Sequence, residues 1–269
     1  FIKTAEECGG CMVEGIEHVC NKEKFMDLMN TDSKESGMHT MEHKAMIEHG
    51  GSKDYVNIHT YKVGFIRPDV NVGKSALLKF TINEIDSGKP ISDLEIVHDK
   101  LMHIVLVRND LRHFEHIHPK MTKPGEFIVN YNFSSSGKYR IWIDFTIDGM
   151  QHIVDFDYDV SGKVESEEKD MLKDIKVNFH LPKTIIKGQE VELKFNVSDS
   201  NHKLTPITEK FLGANAHLIE IDETLEEFGH NHDENFDKHN IISFKHKFEK
   251  QGIHKLWVQF SVDNKTKTA

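Results

Sequence analysis

The sequence predicts an all-β chain, two tandem immunoglobulin-like β-sandwich domains preceded by a Cys/Met/His-rich, partly helical N-terminal segment. Three observations carry that reading. The chain repeats itself at an offset of 114–115 residues. Each copy is built of short runs rich in β-branched and aromatic residues, separated by turn-forming clusters such as Asp86-Ser87-Gly88. All three cysteines lie at positions 8, 11 and 20, so neither copy has the inter-sheet disulfide of antibody domains.

Residues 1–59 carry every cysteine and six of the ten methionines. Short helices are expected at Thr4–Glu7 and Lys22–Met29, no strand is expected, and Ser36–Gly51 is a low-complexity Met/His tract. The first sandwich spans 60–160, with strands in LLKFTI, HIVLV, EFIVNYNF and YRIWIDF. The charged stretch 161–174, SGKVESEEKDMLKD, is the expected linker. The second sandwich spans 175–269, and Val191, Leu193 and Phe195 show the alternation of a half-buried strand. The repeat pairs Phe65 with Phe179, Met102–Pro119 with Ala216–Asp233, and both tryptophans, Trp142 with Trp257.

With 269 residues the chain is long enough for two domains of about 100–150 residues each. A net charge of −10 argues against nucleic acid and anionic lipid as partners. No apolar run approaches the roughly 20 residues of a membrane helix. Nineteen histidines exceed what packing needs and point to metal or proton chemistry. The chain begins at Phe1, from which a removed leader is inferred rather than seen.

The sharpest motif is the repeated His-x10-Phe-x-His-x-His, His103/His116/His118 and His217/His230/His232. Alternate strand residues share a face, so His116 and His118 project together with Cα atoms about 6.6 Å apart. A hairpin centred between Asp110 and Leu111 would set His103 opposite His118 on that face. Three imidazoles there can hold copper or zinc with one coordination position open. Phe114 shares the parity, so the same face can instead be the core, its histidines pinning a hairpin. The Met/His tract offers Met38, His39, Met41, His43, Met46 and His49. Thioethers suit Cu(I), and the glutamates and lysine among them make the segment too polar to bury. Cys8, Cys11, His18 and Cys20 can form a thiolate site or, in an oxidising compartment, a disulfide. No Gly-x-Ser-x-Gly elbow, phosphate loop or His-Glu-x-x-His helix occurs.

Pro90–Leu94, His98, Met102-His103, Asp110–Pro119 and Gly137–Trp142 together resemble bacterial extracytoplasmic tandem β-sandwich proteins with HxHP-type repeats, found with copper and heavy-metal handling systems. The resemblance covers about residues 61–160 well and 175–262 less well. It implies a periplasmic, secreted or cell-surface protein. The second copy departs from it: Pro119 becomes Asp233, Met102 becomes Ala216, and His98 has no clear counterpart. The expected function is a non-enzymatic metal-binding protein that buffers or transfers copper, with zinc as the other candidate ion. A metal transporter, a chaperone or further copies of the chain are the expected partners. A structural surface or fibre module and a copper redox enzyme are the competing readings.

Overall fold

The computed structural model describes residues 2–4, 47–50, 53–163, 175–199, 210–233 and 241–269. Among the described residues there is no helix, so none is long and apolar enough to cross a membrane. The strands are β1 (Ile2–Thr4), β2 (Ile47–Gly50), β3 (Lys53–Ile58), β4 (Tyr61–Ile66), β5 (Ser75–Glu84), β6 (Met102–Arg108), β7 (Phe114–Ile117), β8 (Lys120–Lys123), β9 (Glu126–Asn132), β10 (Gly137–Ile147) and β11 (Met150–Val160). They continue as β12 (Ile175–His180), β13 (Glu190–Asp199), β14 (Ala216–Asp222), β15 (Phe228–Asp233), β16 (Ile241–Lys247), β17 (Gly252–Val262) and β18 (Lys265–Thr268). Every strand pairing is antiparallel.

The chain divides into two compact units. In the first, one sheet runs β2-β3-β4-β5-β9-β8 and the other β11-β10-β6-β7. Alternation decides which side chains meet between them. Ala76, Leu78, Phe80 and Ile82 on β5 point inward with Phe65 and Phe127, against Ile104, Leu106, Ile141, Ile143 and Phe156 of the other sheet. Each fully buried Leu, Ile or Phe side chain among them contributes about 1.5–3 kcal/mol. The β10–β11 hairpin closes on Asp148-Gly149, both at positive φ (51° and 71°). That is the primed two-residue turn whose twist matches the strands, and Asp-Gly suits it.

The second unit repeats the plan with sheets β12-β13-β16 and β1-β17-β14-β15, β18 also pairing β17. Its core joins Leu193, Phe195, Phe244 and Phe248 to Leu218, Val258 and Phe260. Where β11 covers β10 along its whole length, β17 is covered in two pieces. Ile2 lies against His254 and Lys265 against Val262.

Three strands, β1, β2 and β3, correct the sequence expectation for residues 1–59. Ile47–Gly50 and Lys53–Ile58 are strands, so the first sheet begins before residue 60. The reason is in β3 itself: Val56 enters the core, and buried Asp54 on the same face pairs with Arg67. Of the segments expected to be helical, Thr4 ends β1, and the remainder lies outside the described residues, as does 164–174 of the expected linker.

Candidate metal centres

The register of the β6–β7 hairpin sets three histidines on one patch. Five residues, 109–113, join the strands, and 223–227 do the same between β14 and β15. Each loop turns on a leucine at positive φ, Leu111 at 59° and Leu225 at 60°. A leucine there costs about 1–3 kcal/mol of strain. Both side chains are buried, and both N–H groups donate back to the strand end, Leu111 to Arg108 O (2.8 Å) and Leu225 to Asp222 O (3.0 Å). The resulting pairing aligns Val105 with His116 and Ile104 with Ile117, and aligns His217 with His232 and Ile219 with His230.

Ile104 and Leu106 belong to the core and Ile117 packs against it, so His103, His116 and His118 occupy the opposite face of the sheet. The alternative in which they line the core is thereby corrected; Phe114 shares their parity and is half-buried. His103 Nδ1 stands 3.1 Å from His116 Nε2 and 3.2 Å from His118 Nε2. In the second unit His217 Nδ1 is 3.3 Å from His230 Nε2, which is 3.1 Å from His232 Nε2. Ligands on a tetrahedral ion at about 2.0–2.1 Å stand about 3.3–3.4 Å apart. Two of the three nitrogen pairs in each triad have close to that spacing.

The remaining nitrogen of His103, and of His217 in the second unit, explains how each ring points. Val97 and Lys100 exchange backbone hydrogen bonds (2.9 and 3.1 Å) across His98 and Asp99, both at positive φ (48° and 64°). This tight turn presents Val97 O to His103 Nε2 at 3.0 Å. Phe211–Ala214 forms the same turn, with Leu212 and Gly213 at 52° and 78°, and Phe211 O meets His217 Nε2 at 2.9 Å. A carbonyl only accepts, so Nε2–H donates in both units. Nδ1 keeps its lone pair and faces His116 and His118 in the first unit and His230 in the second. The turn also supplies the counterpart of His98 that the sequence comparison lacked: it is Leu212, and neither residue belongs to a triad.

Burial holds the His103 imidazolium below the ordinary histidine range, which favours the neutral, metal-competent ring. Directly across the ladder from His103 is buried Asp144, which accepts from Gln151 Nε2 at 3.0 Å on each oxygen. Across from His217 stands Gln259 instead. Cys8, Cys11, His18, Cys20, Met38, His39, Met41, His43 and Met46 lie outside the described residues, and His49 falls on β2. Sequence reasoning missed the turn carbonyls and Asp144; the periodic spacing of β10, which places Asp144 beside Trp142 on the outer face, is the signal that could have found the latter.

A family model described as a domain of unknown function, DUF8832, matches residues 56–162 and again 170–269. The chain belongs to this family, with two copies of its domain. No curated protein matches the chain significantly. Among solved structures, Salmonella alpha-2-macroglobulin is similar at 11% identity and TM-score 0.30, over 87% of this chain and 15% of that one. A DUF4785 family protein of Legionella pneumophila is similar at 7% identity and TM-score 0.27, over 79% of this chain and 48% of that one. Chimeric titin Z1Z2 stands at 12% identity and TM-score 0.21, over 78% and 96%. The chain thus spans less than half the length of the macroglobulin and Legionella chains.

Proposed function

We propose that the chain is a tandem immunoglobulin-like metal-binding protein that holds one ion on the outer-face His triad of each sandwich and buffers or passes it without catalysing a reaction. The observation that carries this is the double occurrence of one arrangement: three histidines with two nitrogen–nitrogen separations of 3.1–3.3 Å in each unit, and one ring, His103 or His217, locked by a backbone carbonyl. Three neutral imidazoles suit copper or zinc and leave a position for an exchanging ligand. Copper is the ion proposed, because of the resemblance to copper-handling proteins and the Met-rich N-terminal sequence. An extracytoplasmic location and exchange with a transporter or chaperone belong to the same proposal.

The experiment is metal content and copper titration of the untagged chain against a variant with alanine at His103, His116, His118, His217, His230 and His232. The variant is expected to lose two copper equivalents; an unchanged copper content overturns the proposal. A purely structural reading is favoured by the carbonyl bonds alone, since they pin each turn to its sheet. It predicts instead a drop in thermal stability with no change in metal content.

A further inference from the structure

The inner end of the second core differs from that of the first. Glu220, His246 and His254 occupy the places of Leu106, Tyr131 and Tyr139, as the paired registers show: Ile141 with Leu106 and Leu256 with Glu220, Ala76 with Tyr131 and Val191 with His246, Tyr139 with Arg108 and His254 with Asp222. Glu220 and His254 are 0% exposed and His246 6%. The three come from β14, β16 and β17 and share the parity of the core residues Leu218, Phe244 and Leu256.

Their hydrogen bonds leave a gap of defined chemistry. Asn231 Nδ2 donates to Lys245 O at 3.1 Å, which orients the amide, so Asn231 Oδ1 accepts from His246 Nδ1–H at 2.8 Å. His246 Nε2 therefore turns a lone pair toward Glu220 Oε2, 3.6 Å away. Neither atom has a hydrogen-bond partner, and the separation is too long for a bond between them. The other oxygen of Glu220 accepts from His254 Nδ1–H at 2.5 Å. Glu227 brings a carboxylate oxygen within 4.8 Å of the donors of Glu220 and His254, oriented by the N–H groups of Glu249 and Lys250 at 2.6 Å each. Gly229 makes the room: a Cβ there would stand 2.6 Å from His246 Cε1 and 3.2 Å from Glu220 Oε2, where the first unit carries Glu115.

Two lone pairs buried away from bulk solvent and facing each other across 3.6 Å repel. A cation bound at about 2.0–2.2 Å from each spans such a gap and supplies the missing charge. We propose that the second sandwich holds a divalent cation of the zinc class between Glu220 and His246, with Glu227 as a further donor in reach and His254 Nδ1–H holding the other oxygen of Glu220 in place. Mixed carboxylate and imidazole donors suit a borderline divalent ion over Cu(I). This site is separate from the His triads and stands whether or not they bind copper.

The test is zinc content of the full chain after gel filtration, for wild type and for a Glu220→Leu/His246→Tyr/His254→Tyr variant, which carries the first unit's own residues. The variant is expected to hold one zinc equivalent fewer, and the six-histidine alanine variant to keep that equivalent. Glu220→Gln preserves side-chain volume and serves where the triple variant does not fold; its zinc affinity is expected to fall by more than about tenfold. Far-UV circular dichroism verifies folding. An unchanged zinc count and affinity in either folded variant overturns the proposal and leaves a buried ion pair.

Discussion

In the first sandwich Tyr139 closes the inner end of the core, its buried hydroxyl donating to Ser135 O at 2.8 Å. In the second, His254 occupies that place and donates to Glu220, with His246 and Glu227 beside them. On the outer faces of the same two strand pairs both units carry three histidines, the first of them held by a turn carbonyl, although the third histidine closes on His103 in the first unit and on His230 in the second. Interiors of duplicated domains are expected to keep their apolar character, since a lone polar replacement there costs about 1–3 kcal/mol or more. Here the polar outer patch was retained and the apolar inner end was exchanged. The difference separates a feature common to both copies, the His triads, from one found in the second copy, the buried Glu220–His246–His254 group.

The sharpest way to break the comparison is His103→Ala against His217→Ala. Each is expected to remove metal from its own sandwich, weakening that site by more than about a hundredfold while sparing the other. Loss at both from either substitution, read by titration, would show that the triads are not independent. Gly229→Ala comes next. The added Cβ meets His246 Cε1 at 2.6 Å, and thermal unfolding should show a loss of about 1–3 kcal/mol in the second unit. Trp257 reports that unit when Trp142 is replaced by Phe.

Asp144→Asn should weaken a dipositive ion at the first triad about tenfold, toward the second, where Gln259 already stands opposite His217. Gln259→Asp should strengthen the second. Equal affinities before and after would make the carboxylate irrelevant to the ion. The smallest effect expected is on pH. His152 is buried against Phe145, with the rings stacked at 5.3 Å, and burial together with the charge of His59 holds it below the ordinary histidine value of 6.5. The unfolded chain binds that proton more readily, so this contribution to stability is present above about 6.5 and lost as pH falls. Half-buried Lys267 stands at the matching place in the second unit, and His152→Phe should flatten the acid-side loss in melting temperature of the first unit alone.

Much of this was legible in the residues. The repeat, the strand runs and a hairpin centred at 110–111 follow from alternation and turn composition, and period two then puts three histidines on one face. Which face was not legible, because Phe114 and the histidines share a parity, and only the inward packing of Ile104 and Ile117 settles it. Strand β2 was hidden by the Met/His tract that overlaps it, and β3 by its place directly after that tract. The Glu220–His246–His254 group was out of reach for a different reason. Its members sit on three strands, and no spacing along the chain links them.

One detail of the turns bears on how such a protein can change. The lock on His103 and on His217 is a peptide oxygen, so no side chain has to be kept for it to work. Val97-His98-Asp99-Lys100 in one unit and Phe211-Leu212-Gly213-Ala214 in the other share no residue, yet they aim the same imidazole nitrogen at the same kind of acceptor. A turn of this kind can accept almost any substitution that tolerates two left-handed residues. Its surface is therefore open to redesign or recruitment by new partners, with the histidine beneath it undisturbed.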